Sequence, residues 1–274
     1  MSKPVALTIA GSDPTGGAGV QADLKTFAAH KVYGASVVSV LTAQNASRFE
    51  MFPVSGAFIS AQIEAVFEAF AVKAIKIGML GTLEAVSAVI DCLHIYNSQQ
   101  KIPVVLDPVL KASNGGTGLE GEGLALLRDA LLPLCTLIKP NLYEAGVLLD
   151  KKQAVGPLQM AEQAQLLGRR HKCSVLLSGG HLSGPEAVDI FFHEDEIHSF
   201  SPTKKQSGER HGTGCTLTSA IAANLANGHD LYTSVECARS WLLQLWGINI
   251  QADQQDKMEY LDHLALLSVP KEQS

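Results

Sequence analysis

The sequence predicts an α/β protein built on a mostly parallel sheet with helices on both faces. Short β-branched runs alternate with helical patterns from one end of the chain to the other, the order that βαβ units produce. The runs "VKAIKIG", "IPVVLDP", "CTLIKPN" and "SVLLSGG" read as buried strands, each beside a helical stretch. With 274 residues, 46% of them hydrophobic, the chain has the material for one large core.

Taken in order, "VALTIAG" is a strand and "AGVQADLKTFAAHK" a helix with Val20, Leu24 and Phe27 on one face. "ASVVSVLT" is the second strand and "FISAQIEAVFEAF" the next helix. "LEAVSAVIDCLHIY" and "QMAEQAQLLGRR" supply further helices between the buried strands. "AVDIFFHEDEIHSFSP" breaks the alternation: two runs flank the acidic turn Glu194-Asp195, which predicts a β-hairpin. In "ERHGTGCTLTSAIAANLANG", Leu217, Ile221 and Leu225 recur at spacing four, and Gly228 can stop that helix. An amphipathic helix is expected near Tyr260 to Leu267, followed by a polar tail. With no internal repeat, low-complexity stretch or linker, residues 1–274 read as a single domain.

A net charge of −6 and few clustered basic residues argue against a nucleic-acid surface. The longest basic cluster, Arg169-Arg170-His171-Lys172, reads as a helix C-terminus facing solvent. No segment reaches membrane-spanning length without charges, and the opening apolar run is too short to span. Five cysteines, at 92, 135, 173, 215 and 237, form no CxxC pair and no even framework, which fits a reducing cytoplasm. All but Cys215 read as small buried hydrophobes.

In open α/β sheets ligands bind beyond the carboxyl ends of the strands. Gly11-Ser12-Asp13, Gln44-Asn45, Gly78-Met79, Asp107-Pro108, Asn141 with Glu144, and Gly179-Gly180 all follow such strands. The loop "GSDPTGGAGVQAD" spaces Gly11 and Gly16 like a Walker A loop, but Gly17 and Ala18 stand where a lysine and a hydroxyl are needed. As a dinucleotide fingerprint, Gly17 begins too far beyond the strand and no ribose-binding acid ends the second strand. Asp23, early in the following helix, either complements the helix dipole or holds a carboxylate over a substrate pocket. Cys215 falls in the first turn of its helix, where unpaired N–H groups and the macrodipole favour an anion. A thiol there is expected to ionise more easily than a free cysteine.

The stretches "ALTIAGSDPTGGAGVQADLKTF", "TAQN", "KIGML", "VVLDPVL", "KPNLYEA", "GGHL" and "HGTGCTLTSAIAANLA" together resemble the hydroxymethylpyrimidine/phosphomethylpyrimidine kinases of thiamine biosynthesis. They follow that family's order from Ala6 to Ala226. The resemblance implies a ribokinase-like three-layer sandwich and Mg²⁺-dependent transfer of the ATP γ-phosphate. The acceptor it implies is the hydroxymethyl group of an aminopyrimidine, and in bifunctional members then the monophosphate. It places Gly11, Asp23, Gln44, Met79 and Val109 around the pyrimidine, and Asp107, Asn141, Glu144, Gly180 and Thr213 around the nucleotide. Asp107 and Glu144 would serve Mg²⁺, directly or through water. Gly212, Gly214 and Cys215 match an anion hole with a catalytic cysteine. A homodimer is also implied.

Each of these residues has a plainer reading. Asp107 before Pro108 can form a turn, Asn141 can cap a helix, Glu144 can be a first-turn acid, and Met79 and Val109 can be core. Two positions depart from the family pattern: Ser178 stands where a lysine commonly precedes the double glycine, and Ser113 near a second common lysine. Lys111, Arg210 or His211 could supply the missing charge. Rival readings are a pyridoxal kinase, a cysteine hydrolase pairing Cys215 with His211 or His181, and a non-catalytic ligand-binding protein on a kinase fold.

Overall fold

The computed structural model describes residues 3–45, 48–97, 101–111, 118–180, 186–204, 210–246, 248–250 and 259–267. The strands are β1 (Val5–Ala10), β2 (Tyr33–Val38), β3 (Val40–Asn45), β4 (Arg48–Pro53), β5 (Val72–Ile77), β6 (Val104–Leu106), β7 (Leu137–Ile138), β8 (Ser174–Leu177), β9 (Glu186–His193), β10 (Glu196–Lys204), β11 (Arg210–His211), β12 (Asn249–Ile250) and β13 (Glu259–Leu261). The α-helices are α1 (Gly19–Ala29), α2 (Gly56–Ala69), α3 (Leu83–Tyr96), α4 (Gly121–Leu126), α5 (Leu142–Leu149), α6 (Pro157–His171), α7 (Thr213–Ala226) and α8 (Leu231–Leu245).

Eight strands form one sheet in the order β10-β9-β8-β7-β6-β5-β1-β2. Pairing is parallel from β8 through β2, and β9 and β10 add antiparallel at the edge. Strand alternation divides the core in two. Leu7, Ile9, Ile75, Ile77, Val104, Leu106 and Ile138 face α2, α3, α5 and α6. Ala6, Ala74, Val105, Leu137 and Leu176 face α1, α7 and α8. On that second face the small residues Ala6 and Ala74 meet the alanine-rich side of α7, including Ala220 and Ala223. Small side chains on both surfaces let α7 lie close on the sheet, with its first turn at the carboxyl ends of the central strands.

The β9–β10 hairpin forms where expected, with Glu194 and Asp195 at φ 51° and 64°, both in the left-handed region that two-residue hairpin turns need. Three expectations need correction. "ASVVSVLT" is not one strand: it breaks at Ser39, and β3 turns back antiparallel to β4 as a separate two-stranded sheet. The Ser39 hydroxyl donates to the Met79 carbonyl at 2.6 Å, and its N–H goes to Ala10, which holds the bend. Residues 259–267 form the short strand β13 and turns, not an amphipathic helix. Cys92, Cys135 and Cys173 are buried as expected, but Cys237 is exposed on α8. The basic cluster does end α6, with Lys172 as its left-handed C-cap. Among the described residues no helix is long and apolar enough to cross a membrane.

Candidate active site

The chain after β1 wraps around one carboxylate. Asp13 accepts from the N–H groups of Thr15 (3.0 Å) and Ala18 (2.8 Å) and from the Thr15 hydroxyl. The His211 Nε2 lies 2.8 Å from the same carboxylate. Burial alone would raise the pKa of this fully enclosed acid; the His211 ring and Thr15 outweigh it and hold the carboxyl at about 2. The glycine loop therefore surrounds an anion of its own, which is why it lacks the signature of a phosphate cradle. Its link through His211 carries it to the start of α7, where Gly212 sits at φ 79° against the carbonyl of Gly17. Any side chain at Gly212 would meet that carbonyl.

The first turn of α7 lies against two charged side chains. A Cβ at Gly214 would stand 2.9 Å from the Asp107 carboxylate and 3.4 Å from the Lys139 ammonium. Asp107 and Lys139 face each other at 3.5 Å, and both are nearly buried. Asn141 and Glu144 form a reciprocal capping box at the start of α5: Glu144 N–H donates to Asn141, and Asn141 N–H to Glu144, each at 2.9 Å. So the cap reading of Asn141 is realised, and it also fixes Glu144 beside Asp107. Burial, with the Asp107 charge adding to it, pushes the Glu144 carboxyl up to about 7, against the pull of Lys139. Two hard carboxylates crowded in a buried place fit Mg²⁺, which takes one or two carboxylates and keeps several waters.

Asp23, expected either at the helix start or over the acceptor, does neither. It is fully buried beneath the site. Lys76 donates to its two oxygens at 2.9 and 2.8 Å, Thr8 at 2.6 Å and Ser219 at 2.6 Å. Thr8 and Lys76 occupy the same strand face as Ala6 and Ala74, so the quartet joins β1, β5, α1 and α7. Burial works against the Lys76 charge, but Asp23, Cys215 and Asp107 outweigh it and raise its pKa.

Cys215 is the second correction. The residue is half-buried, yet protein packs closely round its sulfur, and that burial pushes the thiol up to about 11. Lys76 and the Gly19 N–H pull the other way, while Asp23 and Asp107 add to the rise. The helix start alone does not ionise this thiol, because desolvation and two carboxylates oppose it.

Gly11 is buried beside Val40 and Met79. Met79 and Val109 are half-buried, and Val109 N–H returns to the Asp107 carbonyl at 2.8 Å. Gln44 is half-buried inside β3, on a hairpin pinned to the glycine loop by the Thr42 hydroxyl and the Ser12 N–H. Thr213 opens α7; Gly180 is exposed past β8, and no described contact ties it to α7. Ser113 and His181 lie outside the described residues, as does the Arg210 side chain. Lys111 is exposed and rests over the Tyr143 ring at 4.8 Å. A shallow cleft of about 750 Å³, lined by Thr136, Arg169, Lys172 and His193, opens at the amino ends of β7 and β8 and contains none of these residues. A cysteine–histidine hydrolase pair does not form with His211, whose Nε2 goes to Asp13 and whose Nδ1 has no hydrogen-bond partner among the described residues.

Residues 13–257 match the family described as phosphomethylpyrimidine kinase. A hydroxymethylpyrimidine/phosphomethylpyrimidine kinase of Rhizobium meliloti (strain 1021) is 43% identical, over 87% of this chain and 88% of its own. Among solved structures, the ADP complex of Bacillus subtilis pyridoxal kinase superposes with a TM-score of 0.86 at 31% identity, covering 97% of this chain and 99% of that one. The phosphomethylpyrimidine kinase of Clostridium difficile 630 superposes at 0.77 with 35% identity, covering 88% and 99%. With residues 13–257 matching that family and 43% identity to a named member over 87% of its length, the chain belongs to the phosphomethylpyrimidine kinase family.

Proposed function

We propose that this kinase transfers the γ-phosphate of ATP to the hydroxymethyl group of 4-amino-5-hydroxymethyl-2-methylpyrimidine, and then to the resulting monophosphate, in thiamine biosynthesis. The observation that carries the reading is the packing of the first turn of α7 against Asp107 and Lys139. Phosphoryl transfer asks mainly for alignment and for stabilisation of charge on the transferred group. Main-chain N–H groups from Gly212 to Cys215 stand at the helix start, where that charge is favoured. Asp107 and Glu144 would hold Mg²⁺, which supplies charge screening for the phosphates when bound. Gln44 offers a donor and an acceptor to a ring with amino and ring-nitrogen groups, and Met79 and Val109 cover its faces. Asp23 acts from below, fixing the floor.

In the transfer, the hydroxymethyl oxygen bonds to the γ-phosphorus as the bond from that phosphorus to the bridging oxygen breaks. ADP leaves with the electron pair, and the hydroxyl proton passes to Cys215 in its thiolate form. Because the thiol is held up at about 11, the reactive form is scarce at neutral pH and the rate rises with pH. The protein works as a single-domain enzyme in the cytoplasm and as a homodimer; the exposed Phe52 and Phe58, on β4 and α2, suit a self-pairing face.

A pyridoxal kinase is the second reading, favoured by the TM-score of 0.86 to one such enzyme. Greater sequence identity to the named pyrimidine kinases, up to 43%, favours the first. Incubating pure protein with ATP, Mg²⁺ and the pyrimidine alcohol, its monophosphate or pyridoxal, and counting ADP, separates them. ADP formation with both pyrimidine acceptors is expected. Turnover of pyridoxal alone would overturn the substrate assignment.

A further inference from the structure

Lys76 and Lys139 are the two buried lysines among the described residues. Lys139 closes β7, its N–H donating to the Leu106 carbonyl at 2.9 Å, which sets it beside Asp107 at the end of β6. Its side chain is 6% exposed. Its described ion pair, 3.5 Å to Asp107, is longer than the 2.7–2.9 Å of a charge-assisted hydrogen bond. An ammonium has three donors, and this one is held only loosely. It also lies against bare backbone, within 3.4 Å of where a side chain at Gly214 would begin. Burial works against its charge, but Asp107, Glu144 and Asp189 outweigh that and keep it an ammonium, while the long ion pair leaves donors free for a further anion. Ser178, which follows β8 and is bridged to Asn141, carries no charge, and Lys111 rests over the Tyr143 ring.

We propose that the Lys139 ammonium is a catalytic group that contacts a non-bridging oxygen of the transferred phosphoryl group, completing the anion hole with the amides of α7 and supplying the charge that Ser178 lacks. Charge on those oxygens is what such a donor meets in the transition state. The glycine at 214 is then required for approach, since a side chain there would separate the ammonium from the amides. The inference rests on the kinase reading above.

The test begins with the unaltered protein, assayed with ATP and the pyrimidine alcohol. Lys139→Met should lower kcat by about 10²–10³-fold, the loss typical of one oxyanion-hole donor. The affinity for a non-hydrolysable ATP analogue should change less than about threefold, since the contact forms late. Lys139→Met/Ser178→Lys should recover at least about tenfold of the lost rate, which restoration of packing alone would not do. A kcat within threefold of the unaltered protein overturns the inference. So does a loss matched by the fraction of unfolded protein in circular dichroism with no rescue by the double substitution. If the unaltered protein turns over no acceptor, the functional reading fails instead. Lys139 is then judged by ADP with aluminium fluoride, a planar phosphoryl mimic. Tighter binding by the unaltered protein than by Lys139→Met supports the contact, and equal binding refutes it.

Discussion

Two buried lysines each face an aspartate in this protein, and they do so in opposite ways. Lys76 meets Asp23 through two bonds of 2.9 and 2.8 Å, and hydroxyls from Thr8 and Ser219 take up the rest of the carboxylate. Lys139 meets Asp107 at 3.5 Å, with a second acid, Glu144, pressed close by. The first cluster is saturated and sealed under the sheet face; the second lies at the strand ends beside an open helix turn. Saturation marks a group that holds elements together, and spare donors mark one that waits for a ligand. Cys215 lies within the electrostatic reach of both clusters, so its chemistry reports on the difference.

The largest expected effect is on stability. Lys76→Met or Asp23→Asn leaves an ionised or polar partner with no exposure to water, and should cost about 3–5 kcal/mol in urea denaturation. Asp107→Asn should cost less than about 1 kcal/mol, because it also relieves Glu144, while abolishing most of the turnover. Equal stability losses at Asp23 and Asp107 would break the contrast between a sealed pair and an open one. Replacing both Asp23 and Lys76 by Asn and Met should recover part of the single-substitution loss, since neither charge is then left alone.

That contrast was only half legible in the chain. Strand and helix order could be read because each buried strand is a short apolar run and each helix shows its periodicity, so β1, β5, α3 and α7 lie where the pattern puts them. The β3–β4 hairpin was not, since no glycine turn announces it and Ser39 bends the strand through tertiary bonds to Met79 and Ala10. The site stretches were legible as motifs, yet motifs carry no burial. Asp23 falls on the same helical stripe as Val20 and Phe27, and Lys76 sits in an otherwise buried strand. Those two facts, taken together, were the available signal for an internal ion pair. Lys139 stood inside the quoted stretch "KPNLYEA" without a role, because its nearness to Gly214 depends on how α7 lies across the sheet.

A medium effect tests whether the open cluster is strained by like charges. Glu144 is held at about 7 in the fold, by burial and Asp107 first of all, against an ordinary 4.5. A carboxyl raised on folding contributes stability that is whole below its unfolded value and lost as pH climbs through the folded value. In protein freed of divalent ions, the unaltered chain should therefore lose stability between pH 4.5 and 7 from this group. Glu144→Gln cannot ionise and keeps an oxygen for the Asn141 N–H. Relative to the unaltered protein it should gain roughly 1–3 kcal/mol at pH 8 and little at pH 4. A gain of the same size at both pH values would mean packing rather than charge. At Asp23 the equivalent change should only destabilise, which sharpens the difference between the clusters.

The smallest effect is read at Cys215, where both fields meet. Its thiol is held up at about 11, so alkylation by iodoacetamide should be slow at pH 7 and accelerate about tenfold per pH unit to pH 9. The exposed Cys237 should be labelled first, and mass mapping of peptides distinguishes the two. Asp107 adds to the rise of the Cys215 thiol, so Asp107→Asn should speed its labelling at pH 8 by about threefold to tenfold. Lys76→Met should slow it, because that ammonium lowers the thiol. Opposite responses would show that the sulfur is poised between a sealed cation and an open acid. If neither substitution changed the labelling rate, burial alone would set the thiol, and the two clusters would not be coupled through it.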